Sequence, residues 1–152
     1  MLKLQPIEFF LRVLPEGFLF VFSIYIFSQL KIDKKKLIIS SLIFSVAVFI
    51  IRSLPINYGV HMILSVLVLL FISISYNKVE AIHSVKSIII LYLIQLISEG
   101  INISILNLMK LNLDQLFKDP VKKSILGLPS LLITFIIIIM FYIINKKRKL
   151  KK

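Results

Sequence analysis

Five runs of about twenty apolar residues, parted by short charged or Pro- and Gly-bearing segments, fill nearly all of this 152-residue chain. A helix of that length rises about 30 Å, the thickness of a bilayer's hydrocarbon core, where every backbone polar group must be bonded within the chain. The expected fold is therefore an all-α integral membrane bundle of about five transmembrane helices. One helical domain is expected over residues 1–145, followed by a basic cytoplasmic tail at 146–152. With 59% hydrophobic and only 17% charged residues, the chain has too little polar surface for a soluble domain of this size. The loops leave no room for an enzyme domain.

The first span is expected from Phe9 to Leu30. It ends in Phe27-Ser-Gln-Leu-Lys31 rather than in the small-x-small site of a cleavable signal, and is expected to stay attached. The second runs from Leu37 to Ser53, where Pro55 and Gly59 allow a tight reversal into a third span ending near Tyr76. A fourth is expected from Ser87 to Met109 and a fifth from Ile125 to Ile144. Residues 110–124 mix charges with Leu111, Leu113, Leu116 and Phe117, which suits a short interfacial helix stopped by Pro120 or, equally, a plain loop.

The net charge of +12 would point to nucleic acid in a soluble chain, but here the cations lie between and after apolar runs and read as topology signals. No nucleic-acid partner is expected. With the N-terminus outside, twelve Lys and Arg fall on the cytoplasmic side, including six of the last seven residues, against seven outside. The positive-inside rule therefore favours an external N-terminus and a cytoplasmic C-terminus. The tail residues Lys146, Lys147, Arg148 and Lys149 would fix this topology or touch anionic lipid.

Polar residues within the spans gather toward the outer half. Glu8, Arg12 and Glu16 recur every four residues and share one face of the first helix, with Glu16 roughly 10 Å deep and Arg12 close enough to pair with it. Arg52 closes the second span, Asn57 sits in the reversal and His61 opens the third. Tyr92, Gln95, Glu99 and Asn102 form one stripe on the fourth helix, with Glu99 near mid-membrane. An ionised carboxylate there costs at least about 2.5–3.5 kcal/mol, so Glu99 must be neutral, paired with a cation or open to water. Two readings follow for Arg12, Glu16, Arg52, Asn57, His61, Gln95, Glu99 and Asn102: structural ion pairs, or a ligand pocket opening outward between helices one, two and four. Ser40, Ser41 and Ser45 offer the second helix a small-residue face for close packing. The heptapeptide Phe9-Phe-Leu-Arg12-Val-Leu-Pro15 is echoed in Phe49-Ile-Ile-Arg52-Ser-Leu-Pro55, a match short enough to arise by chance.

Catalytic arrangements are missing from the sequence. There is no HExxH, no phosphate-binding glycine loop and no Ser near a His and an acid. Cysteine is absent, and His61 and His83 are too far apart for a zinc spacing, so no cofactor or metal is expected.

Three stretches carry a resemblance: Arg12-Val-Leu-Pro-Glu-Gly17, Arg52-Ser-Leu-Pro-Ile-Asn-Tyr-Gly-Val-His61 and Asp119-Pro-Val-Lys-Lys-Ser-Ile-Leu-Gly-Leu-Pro-Ser130. They resemble segments of the membrane sensor region of quorum-sensing, AgrC-like histidine kinases of Clostridia-like bacteria. In that family a dimerisation helix and an ATP-binding domain follow the last span, whereas this sequence ends at Lys152. The resemblance implies a non-catalytic sensor-like or accessory module in the bacterial cytoplasmic membrane, partnered by the lipid bilayer and by a membrane protein such as a kinase. The alternative is a small transporter or a substrate-binding subunit working with a transport ATPase. For the topology, a reporter fused after Lys152 is expected to be active only in the cytoplasm. Activity confined to the outer side would overturn the assignment.

Overall fold

The structure, a computed structural model, describes residues 6–55, 57–109 and 120–150. Pro6–Glu8, a π-helical turn at Phe9–Val13 and Leu14–Phe27 follow one another without a break and form α1. The other elements are α2 (Lys34–Ser53), α3 (Tyr58–Ser75), α4 (Ala81–Leu108) and α5 (Pro120–Leu150), with no strand among the described residues. Phe9–Phe27, Lys34–Ser53, Ala81–Leu108 and Ser124–Lys147 are each long and apolar enough to cross a membrane, the pattern of a multi-pass membrane protein. The apolar α3, at 18 residues, rises about 27 Å, slightly short of a hydrocarbon core.

Three boundaries differ from expectation. Helix α4 starts at Ala81, so Lys86 lies within it. The backbone of α5 runs on through the basic residues from Lys146 to Leu150, because nothing in that run breaks a helix. Pro120 opens α5, a place where its missing N–H leaves no helical bond unmade. The remainder of the interfacial segment, 110–119, lies outside the described residues.

Short turns set the order of the bundle. Helix α1 ends in a Schellman arrangement: Gln29 adopts φ 54°, its N–H reaches the Ile26 carbonyl, and the Leu30 N–H reaches that of Tyr25. Four residues after Gln29 the Asp33 carboxylate accepts from the Lys35 and Lys36 N–H groups and caps α2. The chain therefore reverses, and α2 lies antiparallel to α1: Phe9 meets Phe49 edge-on at 5.3 Å and Phe20 meets Phe44 at 6.0 Å. Lys78, at φ 58°, ends the turn after α3 in the same left-handed region.

The packing inverts that of a soluble protein. Ser23, Ser40, Ser45, Ser73, Ser84 and Thr134 are fully buried, while Phe71, Ile82 and Leu108 are 69%, 68% and 83% exposed. Apolar side chains gain nothing by leaving a hydrocarbon solvent, so close backbone approach and hydrogen bonds between small residues hold such helices together. The Ser73 and Ser84 hydroxyls join α3 to α4 at 2.8 Å, Ser28 meets Ser87 of α4 at 3.0 Å, and the Tyr25 hydroxyl donates to Asn77 Oδ1 at 2.9 Å. Buried Ser40, Ser41 and Ser45 form the small face anticipated for α2. Ser45 donates across to the Val13 carbonyl at 3.3 Å, at the end of the π turn.

Gly17 sits where α1 crosses this serine face. A Cβ there would fall 2.1 Å from Ser45 Oγ and 3.3 Å from the Ser41 carbonyl, whereas one on Gly100 would meet nothing within 4 Å. Gly17→Val is therefore expected to lower stability by about 1–3 kcal/mol through overpacking. Gly100→Ala should leave stability unchanged or raise it by up to about 1 kcal/mol. Thermal unfolding midpoints of the two variants in detergent check the contrast. Equal midpoints would show that α1 and α2 do not need this close crossing.

Candidate functional site

The first half of α1, the second half of α2, the first turns of α3 and the middle of α4 surround a cavity of about 350 Å³. One part of its wall is charged or polar, from Glu8, Arg12, Glu16, Arg52, His61 and Glu99; another is largely apolar, from Phe20, Phe44, Val48 and Tyr92. The antiparallel pairing of α1 and α2 explains how Arg12 and Arg52 meet here. The sequence echo that carries them enters α1 in one copy and leaves α2 in the other, which brings both copies to the same end of the bundle.

The charges pair between helices rather than within them. Arg52 Nη2 donates to both Glu16 oxygens at 3.1 and 3.2 Å, tying α2 to α1. Arg12 Nη2 lies 3.5 Å from Glu99 Oε1, tying α1 to α4. The intrahelical Arg12–Glu16 contact expected from their spacing gives way to these two pairs. The physical reason lies in the π turn, which holds one residue more per turn than an α-helix and so re-aims Arg12 relative to Glu16. Arg12 then runs against α5 at Gly127, where a Cβ would fall 2.9 Å from its guanidinium.

Glu99 is held from a second side. Gln95 Nε2 donates to Glu99 Oε1 at 3.1 Å, and Gln95 Oε1 accepts from the Thr134 hydroxyl of α5 at 3.0 Å. A continuous polar chain therefore runs from Arg12 through Glu99 and Gln95 to Thr134, linking α1, α4 and α5. His61 faces the cavity from α3 with its Nδ1 buried and without a hydrogen-bond partner.

Two expected members stand apart. Asn57 is exposed and lies outside the cavity lining; its carbonyl accepts from the Val60 and His61 N–H groups at the start of α3, so it shapes the reversal. Asn102 turns toward α5 and donates to the Leu126 carbonyl at 2.8 Å. That contact lies beside Pro129, which has no N–H to give to the helix ladder of α5. Asn102, Arg12, Glu99 and Ser130 line a separate smaller cavity of about 120 Å³. The exposed Lys146 and Lys147 belong to the far end of the bundle, where Phe141 of α5 contacts Phe27; the side chains of Arg148 and Lys149 lie outside the described residues.

Sequence reasoning missed Gly127 and Thr134. Each carries a faint signal, a glycine two residues before a proline and a lone hydroxyl in an otherwise apolar run, but only packing gives them partners. Among the described residues no group of three or more His, Asp or Glu is arranged to hold a metal ion.

Chemically, the site offers exchangeable charges. A ligand bearing one charge can replace one member of a pair, and the released partner must then find a new contact or move. Removing one member without replacement leaves a charge in a low-dielectric setting, at roughly 3–5 kcal/mol for a fully buried pair and less here, where the Arg12 and Glu99 side chains are 23% and 34% exposed. Glu99→Leu is accordingly expected to reduce the membrane-inserted protein, and a second change, Arg12→Leu, to restore it. Arg52→Leu, whose partner is Glu16, should give no rescue. Abundance in membrane fractions measures both; rescue by Arg52→Leu alone would refute the pairing. Compared with protein-family models, curated proteins and solved structures, the chain matches none.

Proposed function

We propose that the chain is a small bacterial membrane module that binds an external ligand or partner in the α1–α4 cavity and signals to a membrane protein through helix contacts, without catalysis of its own. The observation that carries this reading is the polar chain Arg12–Glu99–Gln95–Thr134. It begins at the cavity wall and ends on α5, the helix that carries the basic run from Lys146 toward the opposite end of the bundle. A ligand that draws Arg12 or Glu99 away would loosen the bond that positions α5 against α4. Any such shift is bounded by the ligand's preference for one arrangement over the other.

The cytoplasmic membrane, with the N-terminus outside and the C-terminus inside, is the setting in which the cavity faces outward and the cationic end faces the kinase or other partner. The resemblance to sensor regions of AgrC-like histidine kinases points the same way. A second reading, a transporter or the binding subunit of a transport system, draws on the depth of Glu99 within α4, since mid-span carboxylates mark substrate and ion pathways.

Glu99→Gln separates a functional role from a structural one, because it keeps the size and hydrogen-bonding capacity of the side chain while removing its charge. The variant is expected to accumulate and insert like the parent while the output of the partner is lost. Normal output at normal abundance would remove Glu99 from the mechanism. Site-specific crosslinking from Lys147 decides the class of partner: capture of a kinase supports sensing, and capture of a transport ATPase supports the second reading.

A further inference from the structure

Resting on the reading of the α1–α4 cavity as a ligand site, we infer that α5 is built to bend at Pro129 and that Arg12, seated on Gly127, is the catch that sets the bend. Three observations converge on the turn from Ile125 to Ser130. The first is the helix itself. Pro129 has no N–H for the Ile125 carbonyl four residues before it, so one rung of the α5 ladder is missing. Side chains act on the carbonyls around the gap: Asn102 donates to Leu126 at 2.8 Å, Ser130 Oγ to Gly127 at 2.7 Å, and Thr134 Oγ1 to Ser130 at 2.9 Å. A hydroxyl that bonds back to its own helix bends it, and a missing rung lowers the cost of bending.

The second observation is the seat of Arg12. A Cβ on Gly127 would fall 2.9 Å from Nη1, 3.1 Å from Cζ and 3.4 Å from Nε, so a glycine is what lets the guanidinium rest against α5. This place denies Arg12 its strongest contact. An arginine binds a carboxylate best through two parallel N–H bonds. Here Nη2 lies 3.5 Å from one oxygen of Glu99, and Nε is buried with no partner. Closing on Glu99 with both donors satisfies Nε and takes the guanidinium off Gly127. The third observation is room for that move. The cavity of about 120 Å³ is lined by Arg12, Glu99, Gly127 and Ser130, so the guanidinium can shift without displacing a packed side chain.

Two arrangements follow. In the one seen here Arg12 sits on Gly127, and Glu99 also accepts from Gln95, whose Oε1 holds the Thr134 hydroxyl. In the other Arg12 closes on Glu99, Gln95 loses that acceptor, and the half of α5 beyond Pro129, tied at this level through Thr134, is released to swing. A ligand in the cavity that touches Arg12 or Glu99 favours one arrangement over the other. A change of about 20° in the bend carries Ile143, about 21 Å beyond Pro129 along the helix, sideways by about 7 Å.

The chain has no cysteine, so spin labels can be placed at chosen pairs of positions. Ile43 of α2 and Ile125 and Ile143 of α5 are exposed, and the last two stand on either side of Pro129. Distances from Ile43 to each of them, measured by double electron–electron resonance on the full chain in nanodiscs, separate a bend from a rigid movement of α5. Gly127→Ala fills the seat and is expected to shift the Ile43–Ile143 distance by several ångströms while Ile43–Ile125 keeps its parent value. Thr134→Val keeps the side-chain shape, deletes the hydroxyl and should give the same shift without touching the seat. Adding Pro129→Ala, which restores the missing N–H, should return both variants to the parent distance. Parent distances in both Gly127→Ala and Thr134→Val, equal shifts at 125 and 143, or a shift that survives Pro129→Ala would each overturn the hinge. If the hinge fails while Glu99→Gln still silences the partner, the cavity keeps its role in sensing. If the shifts occur and Glu99→Gln signals normally, α5 bends as inferred and the ligand reading falls.

Discussion

Charge held away from bulk water organises this bundle. Glu16 and Arg52, and Arg12 and Glu99, come from different helices, and neither member of a pair tolerates an apolar setting without the other. Satisfying them requires α2 beside α1 and α4 beside α1 at a set rotation. Serine and tyrosine hydroxyls repeat the requirement toward the other end, through Ser28–Ser87, Ser73–Ser84 and Tyr25–Asn77. The apolar residues, by contrast, largely face outward, where one isoleucine serves as well as another. Polar pairing therefore supplies the specificity and the apolar surface supplies the solvent match.

The same constraint creates the cavity. Two large guanidiniums and three carboxylates cannot be packed as tightly as leucines, and the first turns of α1 are further displaced by the π turn. Space remains between the charged wall and the Phe20, Phe44 and Tyr92 rings. A region whose contacts are ion pairs, rather than interdigitated methyl groups, is also one that a charged ligand can rearrange at modest cost. Structural and functional readings of these residues are thus compatible: the pairs that hold α1, α2 and α4 together are the groups a ligand would address.

Much of the site was legible in the sequence because charged residues inside apolar spans are rare and their spacing reveals a shared face. The stripe on α4 and the positions of Arg12, Glu16, Arg52 and His61 could be read this way. Which arginine meets which glutamate could not. Spacing alone favours Arg12 with Glu16, and only the π turn at Phe9–Val13 and the antiparallel approach of α2 direct Glu16 to Arg52 and leave Arg12 for Glu99. Asn57 and Asn102 lie near the cluster along the chain, yet the backbone of one shapes a turn, and the side chain of the other reaches a carbonyl on α5 beside Arg12 and Glu99.

By itself the sequence determined the helical class, the order of the apolar segments and the side of each span on which charge accumulates, because the hydrophobic demand of a bilayer acts on each segment locally. Tertiary structure decided the partners: the Gly17 crossing against Ser45, the contact of Gly127 with Arg12, and the reach of Thr134 to Gln95. Those choices depend on rotation and depth of one helix relative to another. A shift of one residue turns a helical side chain by about 100°, which no apolar pattern records but every hydrogen bond and ion pair must satisfy.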